Sequence, residues 1–261
     1  MEKPTDTPDD PNRGREYVMG LEKGLAIVEA FGIAKGPLTL TRAAEITGHT
    51  KASVRRSLIT LCKLGYASQT GREFQLAPRS LRLGHAYVAS DPLAKVSQPI
   101  LERTSERTRE SASLAVLDAH DAVVVARSTH RRSLSTGLGV GTRLPAYCSA
   151  TGRVLLSEHT GADLELVLNR QSRPALTPHT RTAVRDIARE VASVRALGYA
   201  VSDEEIELGL RAIAVPIRSG RGELIAAMSL SVAKSRMTRE QLIERLVPEL
   251  ETARRSFATM L

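Results

Sequence analysis

Tryptophan is absent from the 261 residues, and aromatic side chains of any kind make up only 3% of them. Single-stranded nucleic acid is held by stacking its bases on aromatic platforms, so that mode of recognition is excluded. Cysteine is nearly as scarce. Cys62 and Cys148 lie far apart, in no CxxC or metal-type spacing. A disulfide framework is thereby excluded, and two buried free thiols are expected. The six histidines, at 49, 85, 120, 130, 159 and 179, show neither HxxxH nor HExxH spacing, which leaves zinc catalysis without ligands. No apolar run approaches the roughly 18–20 residues of a membrane-spanning helix. The longest, 224–233, is broken by Ser229 and Ser231. Residues 1–16 lack the basic-then-apolar layout of a secretory signal, so a cytoplasmic location without a membrane partner is expected. The glycine-rich 136–141 run lacks the strand–GxGxxG–helix context of a dinucleotide site, and no cofactor is expected.

Positive charge is what the chain has in excess, at a net +8. Its placement is informative. Residues 1–16 carry three basic and five acidic side chains; 17–90 carry ten Lys/Arg against four Asp/Glu; the remainder carries 24 against 20. The excess is concentrated in one short segment, as phosphate contact requires.

Residues 1–16 are rich in Pro, Asp and Thr and read as a flexible tail. Leu21, Leu25, Val28 and Phe31 then form one stripe of an amphipathic helix that stops near Gly32–Gly36. A short helix follows, with Thr41 as its expected N-cap and Gly48 as its stop. Thr50 caps a third helix over 51–64. Two helices across so short a glycine-containing turn are the helix-turn-helix signature. Residues 66–69 and 74–76, joined by Thr70-Gly71-Arg72-Glu73, read as a small β-hairpin, a wing. Helical 78–90, with Leu81, Leu83, Ala86 and Tyr87, ends at Asp91-Pro92, a boundary because the residue before proline is pushed out of the α region.

Beyond it, strands are expected at 113–118, 122–127, 212–218 and 223–232, and helices from 92 to about 109 and over 149–158, 162–169, 180–197 and 239–259. The fold class is α+β rather than doubly wound. The domains are a tail (1–16), a winged helix-turn-helix (17–77), a helical linker (78–91) and a second domain (92–261).

Projected at 100° per residue, the third helix turns Val54, Leu58, Leu61 and Cys62 into one sector. The opposite face carries Ala52, Ser53, Arg56, Thr60 and Lys63, with Arg55 on the flank. A basic and hydroxylic face is suited to the major groove of double-stranded DNA. Arg pairs with guanine, Ser or Thr with either base edge, and Ala with a thymine methyl. Lys51, Ser53 and Arg56, near the helix start, are the expected base or phosphate contacts. Arg72 at the wing tip and Thr39, Thr41 and Arg42 are placed for phosphates. The alternative is a merely solvated basic face.

Four segments, MGLEKGLAIVEAF, LTLTRAAEITGHTKASVRRSLITLCKLGYA, LPAYCSATGRVLL and GYAVSDEEIELGLRAIAVPIRSGRGELIAAMSLSV, resemble the IclR family of bacterial transcriptional regulators in content and order. HRRSLSTGLGVGTRLPAYCSATGRVLL and LRLGHAYVASDPLA look most like the regulators of β-ketoadipate pathway genes, which respond to protocatechuate, 4-hydroxybenzoate or β-ketoadipate. The resemblance implies a GAF-like effector-binding domain behind the linker, a small organic acid (aromatic or dicarboxylic) as effector, and homodimers that pair into tetramers. It also implies an effector pocket at Leu144, Ala150, Thr151, Ser202, Leu210, Ala212, Ser229 and Ser231, with Tyr147, Arg132 and Ser133 as additions.

The residues alone leave alternatives at the helix start Ser149–Gly152. It is either an anion seat made of uncovered N–H groups or an ordinary capped helix packed by small residues. The acidic 203–205 run reads as a solvated face. Two other functions stand beside a DNA-binding, non-enzymatic regulator: a sensor acting through protein contacts with a degenerate helix-turn-helix, and a hydrolase or acyltransferase built on Cys148.

Overall fold

The computed structural model describes residues 17–130 and 138–260. The expected tail, and Arg132 and Ser133, lie outside them. The chain divides into two compact units between Ala86 and Tyr87, inside the segment read as a linker.

The first unit opens with α1 (Met19–Ala34), followed by β1 (Leu38–Thr39), α2 (Leu40–Thr47), α3 (Lys51–Lys63) and the hairpin β2 (Ala67–Thr70)–β3 (Glu73–Leu76). Its core is built from Ile27, Ala30, Phe31, Leu38, Ala43, Val54, Leu58 and Phe74. The buried face of α1 is therefore the Ile27–Ala30–Phe31 side, and the expected stripe is only partly right. Leu21 and Leu25 are 61% and 47% exposed. The cap of α2 is corrected as well: Thr39, not Thr41, accepts the Arg42 N–H at 3.2 Å. The reason is Leu38, fully buried, which draws Leu38–Thr39 into antiparallel pairing with β3 and starts the helix two residues early. Thr50 caps α3 as expected, taking the Ser53 N–H. Gly71 holds a positive φ at the hairpin tip, a conformation that costs glycine nothing. A 3₁₀ turn at Pro78–Ser80 leads into α4 (Leu81–Ser90), which has no buried residue.

The second unit contains α5 (Pro92–Thr108), β4 (Ser111–Asp118), β5 (Asp121–Ser128), β6 (Arg143–Pro145), α6 (Ala150–Leu156), α7 (Gly161–Asn169), α8 (Val184–Leu197), β7 (Ala200–Asp203), β8 (Leu210–Arg218), β9 (Leu224–Ala233) and α9 (Arg239–Ala258). The strands form one sheet in the order β6-β5-β4-β9-β8-β7, every neighbouring pair antiparallel. That meets the expected α+β class. Short edge strands β6 and β7, which sequence alternation is too brief to reveal, close its two sides.

One sheet face packs on α5 and α9 through residues such as Leu101, Leu114, Leu230, Leu246 and Phe257. The other packs on α6 and α8 through Ala115, Ala150, Val154, Val194, Ala214 and Ala227, mostly small side chains. Asp91 caps α5 with Pro92 at its first position, and a Thr238–Gln241 capping box opens α9. Central β9 is covered on both faces and is therefore a run of buried residues rather than an alternation.

Glu110, 1% exposed between α5 and β4, faces Arg236 at 2.9 Å. Burial pushes its carboxyl from 4.5 up to about 7, against the pull of Arg236 and Arg245. The folded chain then holds a proton that the unfolded chain releases from about pH 4.5 upward. Stability falls as pH rises from about 4.5 to about 7 and is level above that. Glu110→Gln is expected to remove this slope. Thermal melts of the two proteins should agree near the acid end of the window and favour the variant above neutrality. Curves that stay parallel across the window would refute the assignment.

Candidate functional site

On α3, Lys51, Ala52, Arg55, Arg56, Thr60 and Lys63 are exposed, forming a basic face behind the tight α2–α3 turn. Ser53 is a correction. It is buried, because α1 lies along that flank of α3 and rotates the covered sector toward Ser53 and away from Cys62, which is only part-buried. Arg56 and Thr60 border the α1 side, where they line a groove with Lys23, Leu25 and Leu64. Thr60 turns its hydroxyl back to the Arg56 carbonyl at 2.9 Å. Arg72 is exposed at the wing tip and Thr41 on α2. Arg42 is exposed but paired with Glu45 at 3.0 Å, so a phosphate would have to compete for it.

In the second unit a cavity that opens in part to solvent lies between the sheet and α6. All eight residues expected at the effector pocket line it: Leu144, Ala150, Thr151, Ser202, Leu210, Ala212, Ser229 and Ser231. Strand register explains the grouping. Ser113 pairs with Ser229 across β4–β9, and Ser231, Ala212 and Ser202 follow one another across β9, β8 and β7. These small side chains form the floor. The roof is the first turn of α6, which is seated against the β6–α6 connection because Gly152 has no Cβ. A methyl there would lie 2.2 Å from the Ala146 Cα.

Thr151 is buried on this roof, and its Oγ1 has no hydrogen-bond partner among the described residues. A buried hydroxyl without a partner marks a place where a ligand or water completes the bonding. Ser202 Oγ instead donates to the Cys148 carbonyl at 2.8 Å.

The anion-seat reading of the α6 start gives way to its alternative. Ser149 is a capping residue whose Oγ accepts the Gly152 N–H at 3.0 Å, and the helix is only seven residues long. The cavity's positive charge comes from a residue the sequence reading missed, Arg127. Its Nη1 donates to Ser113 Oγ at 2.8 Å and its Nε to Thr129 Oγ1 at 3.2 Å. Burial lowers the pKa of this guanidinium. No motif flagged Arg127 because of a β-bulge. Leu114 pairs with Ala126 and Ala115 with Val124, so Val125 is an extra residue and the side-chain alternation changes parity behind it.

Tyr147 does not belong to this wall. It is buried against Leu156, Leu164 and Ile187, and its hydroxyl donates to the Pro174 carbonyl at 2.5 Å. The acidic run is not a solvated face either. Glu205 is fully buried, receiving Arg153 Nη1 and Nη2 at 2.7 and 2.6 Å and Arg181 Nη1 at 2.6 Å. Glu204, at positive φ, takes Lys234 and the Gly209 N–H. These bonds fix the 204–209 loop, whose Ile206 reaches the cavity.

Cys148 is fully buried, and its thiol is pushed up to about 12, chiefly by burial, so it stays protonated at neutral pH and is no nucleophile. Among the described residues no helix is long and apolar enough to cross a membrane.

Comparison with known proteins agrees with this arrangement at both ends. Residues 20–71 match the IclR helix-turn-helix domain, and residues 85–258 match the bacterial transcriptional regulator IclR C-terminal model. The Pca regulon regulatory protein of Pseudomonas putida is 41% identical over 94% of this chain and 85% of its own length. The p-hydroxybenzoate hydroxylase transcriptional activator of Acinetobacter baylyi is 38% identical over 91% of this chain and 90% of its own. An IclR homolog from Microbacterium hydrocarbonoxydans, solved with 4-hydroxybenzoate, superposes with a TM-score of 0.77. It is 26% identical, over 93% of this chain and 98% of that one. With a matched model spanning most of the second unit and relatives this similar along its length, the chain belongs to the IclR family of bacterial transcriptional regulators.

Proposed function

We propose that the chain is a cytoplasmic, non-enzymatic regulator that reads operator DNA with α3 and responds to a small aromatic acid of a catabolic pathway bound in the sheet–α6 cavity. The observation that carries the DNA half is the exposed basic face of α3, with Lys51, Arg55 and Arg56 immediately behind a capped two-helix turn. Arg56 is assigned to a base edge, with Ala52 and Thr60 beside it. Lys51, Arg55, Thr39, Thr41, Arg42 and Arg72 are assigned to flanking phosphates. The aromatic-acid half is supported by the cavity's composition and by the kinship with regulators of the Pca regulon and of p-hydroxybenzoate hydroxylase. Exposed apolar side chains on α1 (Leu21, Leu25) and on α4 (Leu81, Leu83) support a homo-oligomer, whose two reading heads would meet successive major grooves. The acid can act only by binding two arrangements of the oligomer with different affinity.

The test is a gel-shift titration on the chain's own upstream DNA across a salt series. Arg56→Ala is expected to weaken binding by about 10- to 100-fold and to relax selectivity against competitor sequences, as loss of a bidentate base contact does. Arg72→Ala should weaken all sequences alike and flatten the salt dependence. Unchanged affinity and selectivity in Arg56→Ala would refute the assignment of that residue.

A further inference from the structure

The outward face of α3 carries one large aliphatic side chain. Val54 and Leu58 of this helix are fully buried in the core of the first unit, and Leu61 packs against that core in part. At 100° per residue Ile59 falls on the other side. It stands four residues from Arg55 and from Lys63, three from Arg56 and seven from Ala52, the spacings that share one helix face. Those four neighbours are exposed, Ile59 is part-buried, and no acidic residue lies between Lys51 and Lys63. Single apolar residues on a surface are common. Here the position is specific: the residue sits at the centre of the face assigned to DNA, where alanine or lysine would serve the helix better. An apolar spot ringed by cations fits a polyanion that offers an apolar group of its own. The major groove offers one, the C5-methyl of thymine. A second copy of this face is a poor match, because cations would be set against cations.

We propose that Ile59 is a specificity-determining residue that reads the methyl group of one thymine in each operator half-site, with Ala52 on the same apolar strip and Arg55 and Arg56 holding the DNA beside it. This rests on the assignment of α3 to operator DNA and adds a contact that the helical projection of charged and hydroxylic residues passed over. Packing the methyl against Ile59 removes apolar surface of both groups from water, and each buried carbon adds a few-fold to affinity. Uracil pairs with adenine as thymine does and shows the same O4 acceptor to the groove, so it differs in the methyl alone.

Gel-shift titration of the full chain tests this on the shortest upstream fragment it retains, synthesised with thymine and with deoxyuridine in place of thymine, first throughout and then one position at a time. Full replacement is expected to weaken binding by about tenfold or more, with one position in each half-site responsible for about threefold to fivefold. Ile59→Ala should bind the thymine duplex about as the wild type binds the uracil duplex, and should treat the two within about twofold of each other. Ile59→Val should be intermediate. Arg72→Ala, at the distant wing tip, should weaken both duplexes and keep the wild-type preference for thymine. Melting curves establish that the Ile59 variants are folded.

Equal binding of the thymine and uracil duplexes by the wild type overturns the proposal and leaves the DNA-reading assignment of α3 standing. A folded Ile59→Ala protein that keeps the wild-type preference for thymine also overturns it, since the methyl is then read elsewhere or acts through DNA shape. If that variant instead changes the oligomeric state in sedimentation and keeps the preference, Ile59 belongs to an interface between copies and the proposal falls. Folded protein that prefers no upstream fragment over unrelated DNA would overturn both the reading of α3 and the role of Ile59.

Discussion

Glu205→Ala is expected to lower the unfolding free energy of the second unit by about 3–5 kcal/mol, the range for removing one partner of a buried ion pair. The carboxylate it deletes is fully buried and accepts both Nη atoms of Arg153, the Nη1 of Arg181 at 2.6 Å and the Arg181 backbone N–H at 3.0 Å. Arg153 is itself fully buried. It also donates to the Tyr147 and Val201 carbonyls, but those dipoles cannot neutralise it. Without Glu205, a guanidinium is left in the protein interior unpaired. Arg153→Met should cost a similar amount. The double replacement with an apolar residue at both positions should cost less than the sum, because no orphan charge then remains. Urea denaturation followed by circular dichroism measures all three; a loss below about 1 kcal/mol for Glu205→Ala would place the pair with weak surface bridges and refute this account. Acid affinity should fall as well, since the same bonds hold the loop carrying Ile206.

Gly152→Ala is the second large effect, about 3 kcal/mol or more despite alanine's better helix propensity. The added carbon would meet the Ala146 Cα at 2.2 Å, its carbonyl oxygen at 2.4 Å and its carbonyl carbon at 2.6 Å. All three are backbone atoms, so relief requires α6 to lift from the β6–α6 connection. Ala150 and Thr151 would be carried with it, and the cavity roof would shift. The expected result is a lowered melting temperature together with lost acid binding, while the first unit still binds DNA in a gel shift. A variant melting as the wild type would show that the connection yields without cost, contrary to this reading.

Much of the architecture was legible in the sequence because it rests on local rules. Thr50 and Gly48 bracket the helix-turn-helix turn, Asp91-Pro92 opens α5, and Gly71 marks the wing tip. The grouping of Ala150, Thr151, Ser202 and Ser229 was legible only through family resemblance, since strand register joins residues that are distant in the chain. What local rules could not supply was direction. Ser53 and Cys62 are both plausible flanks of α3 until the position of α1 decides which is covered. Leu21 and Phe31 read as one stripe until the core selects Ile27, Ala30 and Phe31. Glu204 and Glu205 look like solvent-facing acids until Lys234, Arg153 and Arg181, far away in sequence, arrive to pair with them.

The extra residue in β5 has a consequence for how such a cavity can change. Because Val125 is unpaired, the side chains beyond it have exchanged faces, and Arg127 rather than its neighbours is presented to the ligand side. Closing the bulge at unchanged length, so that Val125 took the place of Ala126 opposite Leu114, would bring Arg127 opposite Ala112 and send the guanidinium toward the apolar cluster under α5 and α9, whereas deleting Val125 would leave it opposite Ser113. The charge that this cavity presents is thus governed by strand register as well as by residue identity. A one-residue slip at the end of β5 would exchange a charged cavity wall for a neutral one, with the rest of the sheet left in register.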